Sequence, residues 1–195
     1  MKTPHQDHTN EAFETISGVV DHIIFRSEES GYTVCVLKSK EHKEGITVVG
    51  NCATIWSGEN MTAEGCWVHH KVHGYQFNAR QMVCMHPHSI DGIKKYLASG
   101  LIHGIGPVLA ERLVGKFGQD TLKVIDRQSA RLTTVEGIGV KRRKQIKEAW
   151  DEQKTVREIM IFLHGHGVST AQAIRIYQAY SYDAIALIKE NPYRL

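Results

Sequence analysis

The string Ile102-His103-Gly104-Ile105-Gly106-Pro107, followed by Val108, Leu109, Ala110 and Leu113, constrains this chain more than any other stretch. Two glycines flank one isoleucine. A turn of this kind needs backbone angles that a side chain forbids, and the missing Cβ at Gly104 and Gly106 lets an anion come close to the main chain. Pro107 suits the first position of the helix that follows, where no amide is needed inside the helix. Ala110 and Leu113 then face back toward the turn. Together these residues spell a helix-hairpin-helix, whose corner presents unpaired amides at the positive end of a helix dipole.

The pattern recurs. Val135-Glu136-Gly137-Ile138-Gly139 repeats it, and Leu163-His164-Gly165-His166-Gly167 repeats it again, with His166 in place of the isoleucine and Ala171 where Ala110 stood. Recurrence at intervals of about 30 residues is the mark of tandem supersecondary units. In the second copy Lys141, Arg142, Arg143 and Lys144 follow Gly139 directly. Four cations in the first turn of a helix oppose its dipole at about 0.3–1 kcal/mol each, which points to an anion held there. Glu136 and Glu148 balance part of this charge, and Arg143 in the place of Ala110 predicts looser packing. The third copy carries His164 and His166 instead of Lys or Arg. It is expected to serve packing, because phosphate contacts usually recruit a cation.

The charge distribution agrees with a polyanion partner. Residues 1–87 hold 7 Lys and Arg against 10 Asp and Glu, whereas residues 88–195 hold 17 against 11, an asymmetry hidden in the formal net charge of +3. The second half is the one suited to nucleic acid. No apolar run reaches membrane-spanning length and no signal-peptide core opens the chain, so a cytoplasmic protein without a membrane partner is expected. Cys35, Cys52, Cys66 and Cys84 are widely spaced without a CxxC pair, as suits reduced thiols.

Texture divides the 195 residues into three parts. Residues 1–13 read as a polar tail. Residues 14–87 hold five short β-rich runs, Ile16–Phe25, Tyr32–Leu37, Ile46–Cys52, Met61–Val68 and Tyr75–Met85, separated by turn clusters. Five short strands in about 75 residues suggest a small closed barrel of the oligonucleotide-binding (OB) type. Residues 88–195 are expected to be all helical. Ser89 caps a helix through Leu97, and Pro107–Phe117, Asp120–Gln128, Val140–Gln153, Thr155–His164, Ser169–Tyr180 and Asp183–Glu190 follow. The fold class predicted is α+β in two domains, an OB-like β-barrel followed by an all-α tandem helix-hairpin-helix domain.

Other residues invite a chemical reading. Trp56, Trp67, Tyr75 and Phe77 are candidates for stacking bases on a barrel face, an interaction worth about 1–3 kcal/mol per base, although aromatics on strands are usually core. Cys66, His69, His70 and His73 lie close together, and Cys84, His86 and His88 alternate. A strand would send the members of these groups to opposite faces, away from one tetrahedral ion, so no metal site is expected. There is no GxxxxGK[ST], GxSxG or HExxH string, so no catalytic residue is assigned. Asp151, an acid after a hairpin, has no lysine nucleophile in a recognisable place beside it and is expected to be a solvated helix residue.

Beyond the hairpins, the strings Gly45-Ile-Thr-Val-Val-Gly50, Ser57-Gly-Glu59, Glu64-Gly-Cys-Trp67, Gly74-Tyr-Gln-Phe77, Ile93-Lys-Lys-Tyr-Leu-Ala-Ser-Gly100, Ile102-His-Gly-Ile-Gly-Pro107 and Asn191-Pro-Tyr-Arg-Leu195 matter together. From about Ile16 to the last residue the chain resembles the N-terminal region of RecD-like ATP-dependent DNA helicases of the YrrC type, in the RecD/TraA family. The resemblance implies an OB-like barrel and tandem hairpins preceding a superfamily 1 motor that hydrolyses ATP and moves 5′ to 3′ on single-stranded DNA in recombination and repair. It makes the chain a piece of a longer protein, whose ATP and Mg would bind in motor domains beyond it, with no cofactor in this segment. It also implies that Gly104, Ile105, Gly106 and Pro107, and Gly137, Ile138 and Gly139, contact the DNA backbone, with Lys141, Arg142, Arg143 and Lys144 beside them. Partners implied are single-stranded or junction DNA, the protein's own motor, and a single-strand-binding protein.

Two further readings fit the sequence. Holliday-junction-binding subunits of the branch-migration complex are similar in plan, a five-stranded barrel followed by two helix-hairpin-helix motifs. A protein-interaction module, with the hairpins as packing corners and the acidic barrel docking a helicase partner, is the third. Resemblance alone also suggests a monovalent cation held by hairpin carbonyls.

Overall fold

The computed structural model describes residues 13–184. Five strands, β1 (Glu14–Arg26), β2 (Tyr32–Lys38), β3 (Ile46–Asn51), β4 (Asn60–His70) and β5 (Gly74–Met85), close a barrel in the order β1-β2-β3-β5-β4. All neighbours run antiparallel except β3 and β5, which are parallel. Closure is possible because β1 is long enough to serve two partners. Its first half, Glu14–Val19, pairs with β4, and Val19–Arg26 pairs with β2 through two register shifts that bend the strand. Alternation along β2 and β3 sends Cys35, Leu37, Ile46 and Val48 inward beside Val20, Met61, Ala63 and Phe77.

The helical half is α1 (Ile90–Ala98), α2 (Pro107–Phe117), α3 (Thr121–Arg127), α4 (Val140–Gly165) and α5 (Thr170–Tyr180), with 3₁₀ turns at Gly118–Asp120, Ser129–Thr134 and Ser181–Asp183. Ser89 caps α1, its hydroxyl accepting the Gly92 amide at 3.0 Å, and α2 ends at Gly118, both where the sequence places them. The expected helix Asp183–Glu190 and the closing Asn191–Leu195 lie outside the described residues, apart from Asp183 and Ala184, as does all of the polar tail except Phe13.

One expectation fails in this half. Val140–Gln153 and Thr155–His164, read as two helices, are a single helix, α4. The charged run Asp151-Glu152-Gln153-Lys154 contains no Gly or Pro and consists of residues that propagate a helix. Its apolar face changes partner instead of breaking. Ile146 and Trp150 join the core built by α1, α2, α3 and the first two hairpins, whereas Ile159, Met160 and Leu163 join a separate core with α5.

The middle of α4 is also where barrel and helices meet. Glu59, completely buried in the loop after β3, forms an ion pair with Arg157 of α4, and its other carboxylate oxygen accepts the Trp56 amide at 3.0 Å. Arg157 donates in addition to the Cys84 carbonyl of β5 at 3.4 Å. The same loop presses on α1 at Gly58 (φ +91°), where a Cβ would stand 2.3 Å from the Gly92 carbonyl oxygen. His86 closes the seam, stacked on Trp150 (centroids 5.7 Å apart, 25° between planes) and edge-on to Tyr96. Trp56 packs against the helical core, so it does not join a base-stacking face of the barrel.

This seam makes two predictions. Arg157→Met should cost about 3–5 kcal/mol in a denaturant titration by stranding the Glu59 charge, and Glu59→Gln in the same chain should restore a substantial part. Burial and the nearby Arg157 charge lower the His86 pKa from 6.5 to about 4. Folding therefore favours neutral His86, whose contribution is complete above pH 6.5 and is lost as pH falls from there toward 4, while the unfolded chain takes up the proton. Thermal melts at pH 7 and pH 4.5 should show a larger loss for the wild type than for His86→Phe.

Candidate nucleic-acid interface

The first two hairpins have the same geometry to the residue. Gly104 (φ +94°) and Gly137 (φ +91°) hold the left-handed angle that only glycine adopts cheaply. The isoleucine that follows is buried in each case, and its amide donates to the apolar residue three positions back, Ile105 to Ile102 and Ile138 to Val135, both at 3.1 Å. Gly106 and Gly139 then cap α2 and α4 in extended conformation. Leu113 and Ile146, equivalent by this alignment, are both fully buried. The isoleucine between the glycines is thus a plug that fixes the corner, and its side chain is unavailable to a ligand.

What the corners leave outside is main chain. Helix geometry gives the amides of Gly106, Val108 and Leu109, and of Gly139, Val140, Lys141 and Arg142, no intrahelical acceptor, and no side chain caps either helix. A Cβ built on Gly104, Gly106 or Gly139 meets nothing within 4 Å. No acidic residue stands in the first turn of either helix. Both corners are donor-rich and at the positive pole of a helix dipole; the first is open at both glycines, the second at Gly139, with Arg112, Leu109 and Arg142 gathered at Gly137.

The cations are arranged unequally. Lys141, Arg142 and Lys144 are exposed; Arg142 folds back to donate to the Gly137 carbonyl at 2.7 Å, and Lys144 lies 3.7 Å from Glu148. Arg143, in the position of Ala110, is half-buried and its buried Nε makes no hydrogen bond. α2 adds two cations that the sequence did not suggest. Arg112 donates to the Glu136 carbonyl at 3.1 Å, and Lys116 to the Thr134 carbonyl at 2.5 Å. The Arg112 guanidinium and Leu109 both approach Gly137, so the helix that starts at the first corner also buttresses the second.

The third corner exists in a different register. α4 runs through Gly165, and Gly167 (φ +78°) takes the left-handed position that the sequence pattern allotted to Gly165. The Val168 amide donates to the Leu163 carbonyl and the Gly167 amide to that of His164, a Schellman ending. Aligned on the left-handed glycine, Val168 is the plug, Ser169 the cap, and Ala173 the counterpart of Ala110, which corrects Ala171; Ala173 and Ala110 are both fully buried. The slip of two residues arose because Gly-His-Gly matches the string equally well from either glycine. Ser169 and Gln172 form a capping box, so this helix start binds its own side chains.

The barrel candidates separate clearly. Phe77 is fully buried and has no face to offer, and Trp67 packs edge-on against it at 5.3 Å while donating to Glu14 at 3.0 Å. Tyr75 is 73% exposed beside His69 at the β4–β5 end. The sequence reading missed Phe25 and Tyr32, 54% and 42% exposed, with ring centroids 6.2 Å apart on neighbouring strands. Half-buried Val34 and Val49, paired in register with each other, carry this surface across β2 and β3. The period-two pattern of β2 held the signal, because Tyr32 has the parity opposite to buried Thr33, Cys35 and Leu37. Asp151, exposed on α4, pairs with Lys147 one turn away. Among the described residues no group of three or more His, Cys, Asp or Glu is placed to hold a metal ion.

Comparison with known proteins finds two family models on separate parts of the chain. The family model for the OB-fold domain of the ATP-dependent DNA helicase YrrC matches residues 13–87, the barrel. The model for the HHH domain of the ATP-dependent RecD2 DNA helicase matches residues 152–195, which begin inside α4 and include the third corner. The ATP-dependent RecD2 DNA helicase of Deinococcus radiodurans is 26% identical over 186 residues, covering 92% of this chain. The chain spans about a quarter of that relative's length. A barrel that matches a helicase OB-fold model, a chain end that matches a helicase HHH model and a relative aligned along nearly the whole sequence make this chain similar to the RecD-like DNA helicases.

Proposed function

We propose that this segment is the non-motor part of a RecD-like helicase that holds DNA by its backbone without reading sequence, and so orients the strand for a motor elsewhere in the protein. The supporting observation is the pair of corners alike in backbone, Gly104–Pro107 and Gly137–Gly139, whose first-turn amides are capped by no side chain and whose Gly104, Gly106 and Gly139 have open space where a Cβ would stand. Phosphate oxygens are the ligands such amides suit, and Lys141 and Arg142 add ionic attraction. Contacts of this kind carry no base information. The ATP and Mg of a 5′ to 3′ motor, and a role in recombination and repair, belong to the whole protein in this proposal.

Phe25 and Tyr32 add a second mode, a stacking platform for unpaired bases on the barrel. A chain with phosphate-gripping corners and an exposed aromatic pair is suited to a junction between duplex and single strand, where both are needed at once.

Three outcomes test this reading. Gly106→Val with Gly139→Val should cost only about 1–2 kcal/mol of stability, the preference of a helix cap for glycine over valine, since each added Cβ enters open space, yet weaken DNA binding at least about tenfold by blocking phosphate approach. Lys141→Ala with Arg142→Ala should weaken binding to all sequences alike and reduce the salt slope by about one unit per lost phosphate contact, read by fluorescence anisotropy from 50 to 200 mM salt. Phe25→Ala with Tyr32→Ala should lower affinity for single strands by about 1–3 kcal/mol per base released while leaving the salt slope unchanged. Flat binding curves for the unmodified chain on tailed duplexes, single strands and four-way junctions would overturn the proposal.

A further inference from the structure

The barrel meets α1 along a groove of about 880 Å³ that the corners do not share. Its floor is apolar, formed by half-buried Val19 and half-exposed Met85, with Met61 of the barrel core beneath them. Its rim is cationic, with Lys38, Lys40 and Lys43 from the end of β2 and the loop after it, and Lys95 from α1. Two carboxylates line it, Asp21 and Asp91. Asp21 is already committed: it pairs with Lys95 and, at 3.3 Å, with Lys38, and hydrogen bonds from Lys95 and His22 hold its carboxyl well below the usual carboxylate range. Lys40 and Lys43 make no ion pair among the described residues.

We propose that this groove is a second nucleic-acid site, taking one or two nucleotides of single-stranded DNA with the base on the floor of Val19 and Met85 and the phosphates against Lys40, Lys43 and Lys95. Three observations select this ligand. An apolar floor with a lysine rim matches a base joined to a phosphodiester, whereas a purely ionic site would have no use for Met85. The volume falls within the range of small-ligand sites and is larger than a lone phosphate requires. Finally, α1 forms one wall of the groove and ends just before the first corner: from Lys95 to its last residue, Ala98, the helix rises only about 4.5 Å, with Lys94 beside Lys95 pairing with Glu111 of α2. The groove and the first corner are thus linked through α1, whose C-terminal end precedes Gly104 by a short turn.

The sequence concealed this site because its lysines sit in the barrel half, whose net charge is negative, next to Glu41 and Glu44. Only the fold brings Lys95, distant in sequence, to the same rim.

This inference rests on the DNA-binding reading, and its test separates the two. The 195-residue chain would be irradiated with a 20-nucleotide oligothymidylate carrying 5-iodouracil, and the cross-linked peptides mapped by mass spectrometry. Anisotropy titrations with the same oligonucleotide would compare the unmodified chain, Lys40→Glu with Lys43→Glu, and Gly106→Val with Gly139→Val. The expected result is a cross-link at Met85 or in residues 85–95 that the corner variant retains, and a loss of about 5- to 20-fold in affinity with a salt slope lower by about 1.4 for the lysine variant, two contacts on a single strand. Because Lys40 and Lys43 are exposed in a loop, that variant keeps its fold, which a thermal melt verifies. Unchanged affinity in the lysine variant with cross-links confined to the corners would overturn the groove while leaving the DNA reading intact. Binding of an acidic peptide to the groove with no oligonucleotide cross-link there would overturn it as well. Absence of any oligonucleotide binding would remove both.

Discussion

The arrangement of this protein depends on one buried ion pair. Glu59 has no exposure and Arg157 little, and removing a carboxylate from water costs several kcal/mol unless a partner and hydrogen bonds replace the solvent. Here the Trp56 amide and the Arg157 guanidinium supply them, and Arg157 in turn reaches the Cys84 carbonyl on β5. The consequence is directional. An apolar patch alone would tolerate sliding between barrel and helices, but a carboxylate whose oxygens need fixed donors permits one placement. Gly58 against the Gly92 carbonyl adds a steric condition to the same placement.

Because Arg157 lies near the middle of α4, the lock also sets the corners. The N-terminus of α4 is the second corner, and its C-terminus leads into the third, so one rigid rod of 26 residues carries both. α2 connects the first corner to the second through Leu109 and Arg112. The open amides, the exposed Phe25–Tyr32 pair and the lysine-rimmed groove are thereby held in one frame. The three corners differ in a way that electrostatics explains. The first two leave their amides free, and the third satisfies its own with Ser169 and Gln172. The same backbone geometry serves an anion in one case and packing in the other, according to whether a side chain already occupies the donors.

Much of this was legible in the chain itself. Strand and helix positions follow from turn clusters, from Ser89 as a cap and from Gly118 as a stop, because these are local effects decided by a few neighbouring residues. The barrel and the first two corners were readable for the same reason, and so was the resemblance to RecD-like helicases, since the matched OB-fold model covers barrel strings that had already suggested it. The helix break placed after Gln153, the register of the third corner and the base-stacking assignment of Phe77 were not. Each turned on which face of an element is covered and by what, and periodicity does not say which neighbour does the covering.

The sequence by itself determined the elements, the glycine corners and the overall order of barrel before helices, because hydrogen-bond geometry, caps and left-handed turns are short-range properties of adjacent residues. Tertiary structure alone decided that Glu59 would find Arg157, that Phe25 and Tyr32 would stay in solvent while Phe77 was buried, and that lysines from an acidic half would line a groove with Lys95. Those outcomes depend on side chains far apart in the chain competing for the same space and the same charge, and their energies exist only once the elements have met.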